Sequence, residues 1–235
     1  MQFANIQWKN QQPYSLDFDD IYYSSDDGLA ETNYVFIEHN QLSQRFTQLD
    51  NTHFTIIETG FGTGLNFFCA AQHFLAHAPI NATLQFISIE RYPLTADDFI
   101  KANRYWFVFE QMVTQLASNY RQLKQGLNAL SCCDGRIQLA LWIDDVSHAL
   151  PQINTPADAW FLDGFAPSKN SDMWSATLFQ EVGRLAKTGT TFATFTSAGE
   201  VRRHLQTMGF NVRKATGFGK KREMLYGTFV SCSPQ

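Results

Sequence analysis

Short, nearly continuous apolar runs rich in β-formers recur along the chain, at His53 to Ile57, Leu84 to Ile89, Ile137 to Ile143, Ala159 to Leu162 and Thr190 to Thr196. Segments such as TIIE, FISIE and AWFLD lack the in-out alternation of a half-exposed sheet, so they read as strands covered on both faces. Stretches with helical spacing separate them, FFCAAQHFLAH being the clearest. Strands alternating with helices predict an α/β fold with a doubly wound, mostly parallel sheet. Towards the C-terminus, EVRRHLQTMGF predicts a helix closed by Gly209. Strands near Asn211 to Ala215 and Met224 to Val230 then form an antiparallel hairpin. The span from Arg91 to Arg136 is about twice what one crossover helix needs, which predicts a helical insertion over about residues 95–134. No internal repeat and no linker rich in Pro, Gly or Ser divides residues 1–235, so a single domain is expected.

An apolar fraction of 44% over 235 residues is enough for one buried core. Residues 1–10 lack the apolar centre of a signal peptide, and no run is long and apolar enough for a membrane span, so a cytoplasmic protein without membrane contact is expected. Cys69, Cys132, Cys133 and Cys232 form no CxxC pair and are expected to be reduced thiols. His73 and His77 share helical spacing without an HExxH frame, so no metal site is expected. Charge changes the picture more. The net charge is -4, but Asp17, Asp19, Asp20, Asp26, Asp27 and Glu31 follow one another with no base between them. From Glu200 to Glu223 seven bases, among them Arg202, Arg203, Lys220, Lys221 and Arg222, face only those two glutamates. A bipolar molecule is expected, with the basic stretch suited to a polyanion; two solvated faces would give the same pattern.

The most informative motif is Glu58-Thr59-Gly60-Phe61-Gly62-Thr63-Gly64-Leu65-Asn66, set between a strand and a helix. Glycines at such a turn permit conformations closed to other residues and let a nucleotide-type ligand approach the main chain. The spacing is GxGxG, and Leu65 stands where the dinucleotide fingerprint GxGxxG needs its last glycine. Glu58 beside the glycines would repel a pyrophosphate and attract the ammonium of a methionine moiety. S-adenosylmethionine is therefore the expected cofactor, with contacts from Glu58, Gly60, Phe61, Gly62, Gly64, Leu65 and Asn66. Glu90, followed by Arg91, ends the second strand, where an acid can accept ribose hydroxyls. Asp144 and Asp145 end the third, within reach of an adenine amine. Acids at strand ends also cap helices, so only their register with the glycine loop gives them weight.

The fourth strand runs into Asp163-Gly164-Phe165-Ala166-Pro167 at the edge where open α/β sheets bind ligands. Asp163 can accept an amine hydrogen and aim its lone pair at a sulfonium methyl group, and Phe165 can pack on a base or a cation. The bland reading makes Asp163 a turn residue and Phe165 a core aromatic.

DFDDIYYSSDDGLAETNYVF, ETGFGTGLNF, ISIERYPLT, DAWFLDGFAPSKNSDMW, ATFTSAGEVRRHL and GFGKKREMLYG together resemble the methyltransferase half of the MnmC family of bifunctional tRNA 5-methylaminomethyl-2-thiouridine biosynthesis proteins. The resemblance implies a Rossmann-like class I methyltransferase fold and methylation of the aminomethyl group of a wobble uridine in tRNA. It implies cofactor contacts at the glycine loop, Glu90 and the Asp144 region, with Asp163 in the catalytic position and Glu31 and Tyr34 lining the nucleotide pocket. The family's other half is an FAD-dependent oxidase, an activity not expected from these residues. A fused or separate oxidase partner is implied instead. Two departures from the family pattern are the aromatic stretch NRYWFVFEQMV and Glu200. A nicotinamide-dependent oxidoreductase fails on the glycine spacing, and a non-catalytic RNA-binding module leaves the glycine loop unexplained. A small-molecule amine methyltransferase would differ only in lacking a use for the basic stretch.

Overall fold

The computed structural model describes residues 1–24, 27–50 and 52–231. Asp26 and Cys232, counted above among the acids and the thiols, lie outside the described residues. The chain opens with a small antiparallel sheet of β1 (Ile6–Lys9), β2 (Gln12–Ser15) and β3 (Asp20–Ile21). Helix α1 (Gly28–Thr32), capped by the Asp27 side chain, continues into a π-helical turn at Asn33–Glu38, and α2 (Leu42–Thr47) follows. The apolar runs then form the expected central strands. They are β4 (His53–Thr59), β5 (Thr83–Glu90), β7 (Ile137–Ile143), β8 (Ala157–Leu162) and β9 (Ala186–Thr194). All five are mutually parallel, in the order β9-β8-β4-β5-β7.

Antiparallel strands flank this parallel centre. The hairpin of β10 (Phe210–Thr216) and β11 (Glu223–Phe229) adds to β9 through β11. At the other edge β6 (Gly126–Cys132) pairs with β7. The expected helical insertion is thus only partly helical: α4 (Ala96–Asn103) and α5 (Glu110–Tyr120) are followed by this edge strand. Its exposure alternates along most of its length because only one face is covered, and GLNALSC carries no strong strand signal of its own.

Helices cover both faces. On one, α3 (Leu65–His77) buries Phe67, Phe68 and Phe74 against Phe86, and Phe99 and Phe109 extend the cluster. On the other, α6 (Val146–Ala149), α7 (Ala176–Arg184) and α8 (Gly199–Thr207) lie over Trp160, Phe192 and Leu225. From β4 the chain winds outward through β5 to β7, and from β8 it winds the other way to β9. The order therefore reverses between β4 and β8, and the crevice at their carboxyl ends is where this architecture places a ligand.

Candidate active site

A cavity of about 550 Å³ opens at that crevice, within the range of small-molecule sites. Its floor is the glycine loop. Gly60 has φ +78°, and a Cβ there would stand 2.9 Å from Gly164 Cα, so the glycine loop and the turn after β8 touch backbone to backbone. The Thr59 hydroxyl donates to the Asp163 carbonyl at 2.8 Å, which fixes the same junction from behind. Gly62 has φ +54° and faces the Tyr22 ring, and its N–H donates to Glu90 Oε2 at 2.9 Å. The Tyr92 N–H donates to Glu90 Oε1 at 2.9 Å, so the carboxylate that ends β5 is clamped to the glycine loop. Burial pushes Glu90 above the ordinary carboxylate range against the pull of these amides.

Asp145 caps α6 through the Ser147 N–H (2.9 Å) and pairs with Arg91 (3.1 Å). It serves as a cap and also lines the cavity, as do Asp144 and Arg91. Asp163 lies one residue beyond β8, with Oδ2 accepting from Asn66 Nδ2 at 2.7 Å. Burial raises its carboxyl to about 6; the Gly164 N–H and Asn66 oppose the rise, Glu31 adds to it and Lys221 works against it. Phe165 stacks on Phe18, with centroids 4.6 Å apart, and meets the edge of Tyr22 at 5.3 Å. Trp174 Nε1 donates to the Phe165 carbonyl at 2.9 Å, holding the turn from outside.

Among the expected site residues, Gly60, Phe61, Gly62, Leu65, Asn66, Glu90, Arg91, Asp144, Asp145, Asp163, Phe165, Glu31, Lys220 and Lys221 line this one cavity. Others do not reach it. Glu58 is fully buried and lies off the cavity, its carboxylate accepting from Asn66 Nδ2 (2.9 Å) and Ser88 Oγ (2.6 Å). It stands behind the wall, beneath α3, and is not placed to meet a ligand ammonium. Gly64 shapes the start of α3 without reaching the cavity. The Tyr34 hydroxyl donates to the Thr216 carbonyl at 2.8 Å and its ring packs near Phe218, so it supports the cavity wall from outside. Arg202 and Arg203 project from exposed positions on α8, and Arg222 is exposed beyond the rim. The expected charge separation is also bridged, because Lys221 of the basic stretch pairs with Glu31 of the acidic one at 2.7 Å.

Several lining residues carried no individual signal in the sequence. Phe18, Tyr22 and Tyr23 come from the N-terminal segment, and Thr32, Thr63, Tyr92, Met173, Phe195 and Phe218 complete much of the wall. Tyr22 and Phe18 sit inside DFDDIYYSS, whose mixture of aromatics and acids was the one cue to them. Asp20 and Asp19 of the same segment reach the turn after β8: Asp20 accepts from the Ala166 N–H at 3.4 Å and Asp19 pairs with Lys169 at 2.9 Å.

An open α/β sheet with an acid-bearing glycine loop at its switch point, two further strand-end acids and an aromatic-walled cavity defines a nucleotide-cofactor enzyme of the Rossmann-like class. Residues 108–229 match the S-adenosyl-L-methionine-dependent methyltransferase family, and the chain belongs to it. It is 49% identical over 227 residues to the tRNA 5-methylaminomethyl-2-thiouridine biosynthesis bifunctional protein MnmC of Methylobacillus flagellatus, covering 97% of this chain and 35% of that protein. To the MnmC of Chromobacterium violaceum it is 50% identical over 225 residues, covering 95% of this chain and 34% of the relative. The chain thus spans about a third of the length of the curated relatives it matches. Among solved structures, that of MNMC2 from Aquifex aeolicus aligns with a TM-score of 0.72 at 18% identity, covering 100% of this chain and 73% of that one, a likeness of fold.

The cavity suits the family's cofactor. A side chain at Gly62 would enter space beside Tyr22, the Glu90 carboxylate stands at the loop for hydroxyl donors, and the aromatic faces of Phe165 and Tyr22 suit a sulfonium.

Proposed function

We propose that this chain methylates the aminomethyl nitrogen of a modified wobble uridine in tRNA, with S-adenosylmethionine as methyl donor. The observation that carries the reading is Asp163, a carboxylate held by Asn66 at the cavity and raised to about 6 by burial. An ammonium has no lone pair to offer, so the substrate amine must lose a proton before or during attack. Asp163, largely ionised at neutral pH, accepts that hydrogen and aligns the nitrogen, and the proton then passes to solvent. S-adenosylmethionine, when bound, would supply an electrophilic methyl group and a thioether leaving group for the attack of the amine. Phe165, Phe18 and Tyr22 shield the reacting pair from water and present aromatic faces to positive charge. Alignment of this kind can contribute roughly 7–11 kcal/mol to the barrier reduction.

Arg202, Arg203 and Arg222 offer exposed guanidinium groups for RNA phosphates, and Lys220 and Lys221 bring positive charge to the rim. The relatives' names describe bifunctional proteins. We assign methylation alone to these residues and the preceding oxidation to an FAD-dependent oxidase, fused or separate. The test is transfer of radiolabelled methyl groups from S-adenosylmethionine to bulk tRNA carrying the primary aminomethyl group, with small primary amines in parallel. Label that enters tRNA and is released by nuclease as a modified uridine is the expected result. Label confined to the small amines would overturn the tRNA assignment.

A further inference from the structure

Asn66 stands between two carboxylates, and its hydrogen bonds leave its orientation no freedom. One amide hydrogen goes to Asp163 Oδ2 at 2.7 Å and the other to Glu58 Oε1 at 2.9 Å. Its Oδ1 accepts from the buried Thr32 hydroxyl at 2.9 Å. Turning the amide over would set its oxygen against both carboxylates, so these two acceptors fix which face the amide presents, and the Thr32 hydroxyl, donating to Oδ1, completes its bonding. Glu58 is tied in turn to Ser88 on β5 at 2.6 Å. A chain of side chains therefore runs from α1 through α3 to the turn after β8 and back to β4 and β5.

We infer that Asn66 is a positioning residue for methyl transfer: its amide fixes the Asp163 carboxylate towards the substrate nitrogen, and Thr32 and Glu58 hold the amide. The assignment rests on Asp163 being the amine-facing group of the function proposed above. Asn66 lines the cavity, yet the two carboxylates take both of its donors, so any cofactor contact is secondary to this role. The bond also sets a charge state. A donor to the ionised carboxylate favours that form, so Asn66 keeps Asp163 from rising as far as burial and Glu31 would take it. Of the titratable groups around Asp163, Glu31 from α1 raises it and Lys221 from the turn between β10 and β11 lowers it, Glu58 at the end of β4 is itself raised by burial and in part by Asp163, and Glu90 from β5 and Asp20 from β3 border the same cavity.

The experiment compares wild type with Asn66→Ala and with Thr32→Val, which keeps the buried shape and removes only the hydroxyl that donates to Asn66 Oδ1. The titration of the Asp163 side-chain carboxyl carbon is followed by NMR in the ligand-free protein, and kcat, KM and S-adenosylmethionine affinity are measured against pH. In both variants Asp163 should titrate at higher pH than in wild type, and the acidic limb of kcat should move up with it. At neutral pH kcat should fall by about tenfold in Asn66→Ala and less in Thr32→Val, with cofactor affinity changed by less than about threefold. An unmoved Asp163 titration in the folded Asn66→Ala protein would overturn the inference, as would a loss of cofactor affinity that matches the loss of kcat, and an unmoved titration in Thr32→Val would remove Thr32 from the arrangement. Should wild type methylate no tRNA, the function would fail while the titration still decides what Asn66 holds.

Discussion

At the scale of single residues, the role proposed for Asp163 ties activity to instability. Its carboxyl is raised to about 6 in the fold, against an ordinary value of about 4 in the unfolded chain. An acid raised in this way favours folding fully below its unfolded value, and that contribution is lost as pH rises through about 6. Above pH 6 the enzyme therefore carries an ionised group that burial opposes. Asp163→Asn removes the titration and keeps the acceptor facing Asn66. It should gain about 1–2 kcal/mol over wild type at pH 8. Melting temperatures of the two proteins should converge below about pH 4; an offset that stays constant with pH would contradict the account. The same substitution should lower single-turnover methyl transfer by at least about tenfold while S-adenosylmethionine affinity holds, because in the proposed mechanism it weakens the hold on the amine.

The glycine loop and the N-terminal strap matter as elements, and they differ in how far sequence reveals them. Gly62 has φ +54° and a Cβ there would meet Tyr22 Cδ1 at 3.2 Å, so Gly62→Ala combines left-handed strain of roughly 1–2 kcal/mol with a contact the ring must yield to. Calorimetry should show cofactor affinity down by about tenfold or more, with an unchanged circular dichroism spectrum; normal binding would remove the loop from the site. The loop was legible because its constraint is local: strand, glycines at fixed spacing, helix. The five central strands were legible because double burial forces continuous apolar runs such as FISIE. At Glu58 the structure departs from the expectation for a related reason. Sequence fixes its place at the end of β4, but only the pleat and the packing of α3 decide that its side chain turns inward to Asn66 and Ser88. The strap of β1 to β3 left no strand signature beyond the mixed aromatics and acids of DFDDIYYSS, since its strands are at most four residues long and Phe18, Asp19 and Asp20 find their partners near residue 165. Long-range contacts of that kind decide the cavity wall, and no window of sequence contains them.

For the molecule as a whole, the proposed function raises the question of how a chain of net charge -4 would dock a polyanion. Part of the basic stretch is already committed inside the fold: Lys221 to Glu31 at 2.7 Å and Lys214 to Glu223 at 2.7 Å. Lys220 and Lys221 also line the cavity, so changing them would disturb the cofactor site together with any RNA contact. Arg202 and Arg203 are cleaner probes, exposed on α8, away from the cavity and without a carboxylate partner among the described residues. If they meet tRNA phosphates, Arg202→Ala with Arg203→Ala should weaken tRNA binding and flatten the slope of log affinity against log salt by about one unit or slightly less for each phosphate that is no longer neutralised. Cofactor affinity should stay at the wild-type value, because neither guanidinium borders the cavity. Fluorescence titrations with tRNA across a series of salt concentrations give the slope directly. A double variant with the wild-type slope would place the docking surface elsewhere and leave α8 as a solvated face. A slope that flattens in this variant and again on Arg222→Ala would trace a basic track leading from α8 to the cavity mouth, along which a polyanion reaches Asp163 despite the molecule's overall charge.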